Sequence, residues 1–166
     1  AELGAAPPPS SSPPSASSNV RLPSRNGVER PERGLDSAEA LFREANVARR
    51  AGDYAGARAL YLRLEHDFPA SDEAHVAHLS LGNLLLSMGR ASEAEQQFSS
   101  YLLGRPALAQ EALVGRAQSL GLLGRSGDER RVWESLLHDY PSSVYVARAQ
   151  QRLAQLAASS ADADSK

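Results

Sequence analysis

Three glycine–proline pairs punctuate the chain at a constant interval: Gly52 and Pro69, Gly89 and Pro106, Gly124 and Pro141, each pair 17 residues apart. A small residue stands seven positions before each glycine (Ala45, Gly82, Ala117), and an aromatic stands nine after it (Tyr61, Phe98, Trp133). The glycines recur after 37 and 35 residues. A unit of that length is too short to bury a core of its own and must stack on its neighbours. A stack of this kind is a surface, so the expected product is a binding module.

Between the marks the apolar residues keep a helical period. Leu41, Ala45 and Ala48 form a stripe that stops at Gly52, and Tyr54, Ala57, Leu60, Tyr61, Leu64 and Phe68 trace a second helix ended by Pro69. The second unit reads Leu81, Gly82, Leu85, then Ala94, Phe98, Tyr101; the third reads Leu113, Ala117, Leu120, then Val132, Trp133, Leu136, Tyr140. Each glycine suits the left-handed residue that closes a helix, and each proline ends the next one. Asp36 or Ser37 is a candidate first cap, with Glu39 as the carboxylate of a capping box. The predicted fold is all-α: three helical hairpins at about 37–71, 72–106 and 107–141, and a capping helix at 143–158. In that cap Ala149, Leu153 and Ala154 repeat the start of a unit. Its polar residues Arg148, Gln151, Arg152 and Gln155 are expected to face solvent.

The folded region therefore spans 36–158. Residues 1–35 hold seven of the ten prolines among Ser and Ala and no aromatic residue, the composition of a disordered linker. Arg21, Arg25, Arg30 and Arg33 close that segment with Glu29 and Glu32 among them, which reads as solvated linker. Residues 159–166 are expected to fray. The formal net charge of −2 gives no general pull toward nucleic acid or an anionic membrane. With no cysteine there is no disulfide framework, thiolate metal site or cysteine nucleophile. No apolar run reaches the roughly 20 residues that cross a bilayer. The chain begins at Ala1 and is read as a processed protein or a region of a larger one.

The run Gly52-Asp53-Tyr54-x-x-Ala57-x-x-x-Tyr61 with Phe68-Pro69 resembles a tetratricopeptide repeat, and units two and three are similar through Leu81-Gly82, Gly89, Ala94, Phe98, Pro106 and Ala117, Gly124, Trp133, Pro141. The resemblance covers about residues 37–157. It departs at Glu129, where a small residue is expected and a looser third hairpin follows, and at Glu44 and Arg116, which fill usually apolar positions. His66-Asp67-Phe68-Pro69-Ala70-Ser71 and His138-Asp139-Tyr140-Pro141-Ser142-Ser143 are similar to junctions in bacterial envelope proteins, namely the Tol–Pal-associated cell-division coordinator and outer-membrane assembly lipoproteins. That similarity implies a periplasmic or envelope location, with a cytoplasmic adaptor as the alternative.

The resemblance further implies a peptide or partner domain bound on the concave wall made by the first helix of each hairpin. Phe42, Asn46 and Arg49 are the exposed positions there in unit one, Leu79, Asn83 and Leu86 in unit two, and Val114, Gln118 and Gly121 in unit three. Phe42, Leu79 and Val114 would form an apolar strip. Asn46, Asn83 and Gln118 would form an amide ladder that suits an extended backbone, with Arg49, Arg50 and Arg90 at one rim. The carboxylate clamp that holds chaperone tails needs basic groove residues where this chain has Phe42, Glu111 and Gly115, so chaperone docking is not expected.

His75 and His78, near Asp72 and Glu73, present two imidazoles but no third metal ligand. His66 and His138 sit late in a second helix, where a structural role is expected. No nucleophile elbow or phosphate loop is present. Neither a cofactor nor a catalytic residue is assigned, and the expected activity is non-enzymatic. Pairing of two copies through terminal helices is the structural alternative.

Overall fold

The computed structural model describes residues 37–104 and 106–164, with side chains as far as 160. The proline-rich segment 1–35 and its arginines lie outside the described residues. Those residues form α1 (Ala38–Arg50), α2 (Tyr54–Asp67), α3 (Asp72–Ser87), α4 (Ala91–Leu102), α5 (Ala109–Leu122), α6 (Ser126–Asp139) and α7 (Val146–Asp164), and no strand.

The punctuation acts through the backbone. Gly52, Gly89 and Gly124 adopt φ of 82°, 74° and 70°, a region costly for residues with a Cβ. Each closes a helix in the same way: the amides of Asp53, Arg90 and Arg125 reach back to the carbonyls of Ala48, Leu85 and Leu120 at 3.0, 2.9 and 3.0 Å. Between hairpins one and two, Phe68 leaves the helix at φ −133° and the Ser71 hydroxyl caps α3 by accepting from the Ala74 amide at 3.0 Å. Tyr140 repeats that backbone turn before α7, at φ −133°.

Local boundaries differ from expectation in three places. Ser37, one of the two candidate caps, closes the start of α1 by accepting from the Ala40 amide at 3.1 Å, which puts Glu39 one position short of the capping-box site. Glu39 consequently makes no capping box and pairs along the helix surface with Arg43. α4 ends at Leu102, four residues before Pro106, because Gly104 breaks it first and no Asp-aromatic-Pro junction follows. α7 starts at Val146, not 143, and the tail expected to fray from 159 stays helical to Asp164. Its alanine-rich sequence meets neither glycine nor proline that would stop it.

Each helix packs on the next in sequence. In addition α1 meets α3 and α3 meets α5, whereas among the described residues the second helices of successive hairpins make no close backbone approach and α2 and α4 touch only through side chains such as Arg58 and Glu93. First helices closer together than second helices curl the stack, with α1, α3 and α5 on the inner wall. The apolar interior forms two clusters, one joining α1–α4 with Ala112 and a smaller one joining α5, α6 and α7. Tyr61, Phe98 and Trp133, all buried, fill the space between one hairpin and the next. Phe98 shows why small residues recur: a Cβ added to Gly82 would lie 2.8 Å from its ring, and one added to Gly115 2.3 Å.

Candidate functional site: the cleft on the inner wall

Only part of the predicted groove faces solvent. Leu79 and Val114 are buried, 6% and 7% exposed, and belong to the two apolar clusters. The continuous apolar strip Phe42–Leu79–Val114 is therefore absent as an open surface. Once α1, α3 and α5 stack, each inner-wall position is shielded by the helix beside it. Phe42, on the first helix, stays half-buried and leans on Tyr61, with ring centroids 6.2 Å apart.

The amide ladder is uneven. Asn46 is occupied internally: its Nδ2 donates to the Phe42 carbonyl at 2.8 Å and its Oδ1 accepts from the Tyr61 hydroxyl at 2.9 Å. Asn83 is exposed. Gln118, oriented with its amide oxygen toward α7, accepts from the Arg148 guanidinium. Arg49 and Arg50 are exposed at the rim, while Arg90 is paired with Glu93 on its own helix turn.

A deep concavity lies at the C-terminal end of this wall. It is a cleft of about 740 Å³ lined by Leu86 and Ser87 of α3, by Gln118, Gly121 and Leu122 of α5, by Glu129 and Trp133 of α6, and by α7. Of the predicted residues it contains Leu86, Gln118 and Gly121. Its α7 side consists of Arg148, Gln151, Arg152 and Gln155, the residues expected to face solvent. Arg148, Gln151 and Gln155 are exposed as expected and Arg152 is half-buried. They face solvent across the cleft, because α7 occupies the place of the first helix of a fourth unit and its equivalent face extends the inner wall. The sequence carried a signal for this. Asn46, Asn83 and Gln118 each follow the small residue of their unit, and Gln155 follows Ala154 in the same register.

The cleft exists because the last step of the stack is built differently. Among the described residues α7 packs on α6 but makes no close backbone approach to α5. Glu129, at the position of Ala57 and Ala94, is 3% exposed and takes the Arg152 guanidinium on both oxygens, at 2.6 and 3.0 Å. The Trp133 indole N–H adds a third bond at 3.1 Å. Burial pushes the Glu129 carboxyl up, but Arg152 and the indole together hold it below the usual carboxylate range. Gly121 makes room for it, since a Cβ there would lie 3.0 Å from Glu129 Oε2. Through this glutamate the third hairpin is tied to α7. Arg116, another of the polar departures, reaches Glu95 of α4 at 2.9 Å.

The histidines lie elsewhere. His75 stacks on Tyr101, with centroids 4.8 Å apart, and His78 contacts Gln97 and Glu65. They diverge, and no metal-holding cluster of three such groups occurs among the described residues. His66 and His138 are exposed in the last turns of α2 and α6. No helix among the described residues is long and apolar enough to cross a membrane.

The sequence profile of the tetratricopeptide repeat matches residues 39–71, the first hairpin and its junction. No curated protein sequence matches the chain. Among solved structures the chain is similar to the TPR domain of Arabidopsis OM64, with TM-score 0.59 and 17% identity over 72% of this chain and 95% of that one. It is similar to the second TPR domain of human RPAP3 in complex with the HSP70 peptide SGPTIEEVD, with TM-score 0.59 and 18% identity over 72% and 93%. It is also similar to the first TPR of Spaghetti (RPAP3) bound to the HSP90 peptide SRMEEVD, with TM-score 0.58 and 16% identity over 75% and 95%. The fold is accordingly an all-α, tetratricopeptide-like solenoid of helical hairpins.

Proposed function

We propose that the chain is a non-enzymatic protein-interaction module that holds an extended peptide, or a segment of a partner domain, along its inner wall. The observation that carries this reading is the 740 Å³ cleft, open to solvent and lined by amides and aliphatic side chains, at the end of the stack. Amide side chains offer both donors and acceptors to a peptide backbone. Groups with displaced pKa values are held in ion pairs: Glu129 with Arg152, Glu93 with Arg58 and Arg90, Asp128 with Arg125 and Arg131, and His78 with Glu65. None is poised as a general acid or base. The RPAP3 domains hold acidic chaperone peptides, which supports peptide binding on this fold. Their ligand is not carried over, because Glu111 is exposed on α5 and Gly115 lies against the Phe98 ring, leaving no room for a basic side chain.

The setting we infer is a scaffold or regulator of a bacterial envelope complex, supported by the two Asp-aromatic-Pro-x-Ser junctions. Fractionation of the native host tests it, and recovery with the soluble cytoplasmic fraction favours the adaptor reading. The binding mode is tested by selecting a displayed random-peptide library on the full chain. Selected peptides are expected to lose binding to Asn83→Arg, a substitution at an exposed inner-wall site, while helicity by circular dichroism stays unchanged. Undiminished binding places the partner elsewhere. Leu79 is unsuitable for such a test, since a charge there would enter the core.

A further inference from the structure

We propose that the cleft between α5 and α7 docks an acidic residue of an extended partner segment, with Arg148 receiving the side-chain carboxylate. This rests on the peptide-binding reading and deepens it. Three ionised residues line the cleft: Glu129, Arg148 and Arg152. Glu129 is engaged by Arg152 on both oxygens, so that pair carries no net charge. Arg148 is exposed and has no carboxylate partner among the described residues. It is held by two neutral groups, the Gln118 amide and the Trp133 ring, whose centroid lies 6.0 Å from its guanidinium carbon. The cleft is left with one unneutralised positive charge.

A carboxylate that replaces the Gln118 amide on Arg148 gains a charge-assisted, two-pronged contact, and no existing ion pair is broken. The released amide remains able to hydrogen-bond the partner backbone. Leu86 and the exposed Leu122, 68% accessible, supply apolar wall for a flanking side chain. Amides lie on both sides of the guanidinium, Gln118 on α5 and Gln151 and Gln155 along α7. The bound chain therefore continues past Arg148, and the carboxylate belongs to a side chain rather than to a chain end.

The displayed library, with both peptide ends covalently blocked, supplies the test on the full chain. Enriched peptides are expected to share an Asp or Glu at one position. A synthetic, end-capped peptide from that set should bind about tenfold more tightly than its Asn or Gln counterpart. Its binding should shift the emission of Trp133, the sole tryptophan. Arg148→Gln should erase the acidic preference, and Arg131→Gln, at an exposed α6 position outside the cleft lining, should keep it. Added salt should weaken the acidic peptide more than the neutral one on the unaltered chain, a reading that needs no variant. Enrichment without an acidic position, or an acidic preference that survives Arg148→Gln, overturns the carboxylate site and leaves the groove standing. Failure to enrich any peptide overturns the groove itself and the carboxylate site with it.

Discussion

The joint between α3 and α5 and the joint between α5 and α7 have the same sequence punctuation and opposite outcomes. At the first, Phe98 is inserted against Gly82 and Gly115, and the two inner helices meet over an apolar contact. At the second, Glu129 replaces the small residue and reaches Arg152, so α7 is fastened to α6 while α5 is left apart. An apolar contact closes the wall; an ion pair holds the next helix in place and leaves a cleft. Period alone sets where helices begin and end. The side chain at one position of the second helix decides whether the inner wall is sealed or open.

Removing the key residue from each joint sharpens the contrast. Phe98→Ala is expected to cost about 3–5 kcal/mol by urea unfolding, the toll of a fully buried aromatic whose surroundings cannot collapse. Because the Phe98 ring bridges α3 and α5, its loss should lower the stability of all three hairpins together. Glu129→Ala strips two bonds from Arg152 and one from Trp133, with an expected cost of about 2–3 kcal/mol. Hydrogen exchange should show α7 losing protection ahead of the first two hairpins. Uniform loss across the chain would mean that α7 is not a separable unit. Gly115→Ala comes next at about 1–2 kcal/mol, because the new methyl meets the Phe98 ring with no empty space to take it.

These joints also explain how far the sequence could be read. Helix order, hairpin pairing and the positive-φ glycines followed from spacing, because Gly52, Gly89 and Gly124 answer to local backbone geometry alone. The burial of Leu79 and Val114 did not, since a helix period assigns a residue to a face without saying how closely the adjacent helix covers that face. Glu129 read as a defect because its partner lies 23 residues away on α7, and no local rule links them. The Asp-aromatic-Pro-x-Ser phrase was legible for a different reason. Phe68 and Tyr140 break the helix at the same φ, and Ser71 restarts it. It is a stop–start device, and its two occurrences report local geometry more directly than a cellular compartment.

The smallest expected effect separates the first joint between hairpins from the last by pH. His78 of α3 sits where α2 and α4 converge, its Nδ1 2.6 Å from Gln97 Oε1 and 3.1 Å from Glu65 Oε1. Two acceptors facing one nitrogen require a proton there. The Glu65 hydrogen bond raises the His78 pKa above 6.5 against the opposing pull of burial, with Gln97 adding to the rise. A group whose pKa rises on folding stabilises the fold fully below its unfolded value and loses that contribution as pH climbs through the folded one. Stability of the first two hairpins should therefore fall by under about 1 kcal/mol between mildly acidic and mildly alkaline pH. Glu65→Gln should flatten that slope. The Glu129–Arg152 tie has the opposite sign: its carboxyl pKa is depressed, so its contribution is present at neutral pH and is lost only as pH falls through the folded value. Between pH 6 and 8 the protection of α7 should thus stay constant while that of α2–α4 declines. A parallel decline of both would show that one cooperative unit spans the two joints.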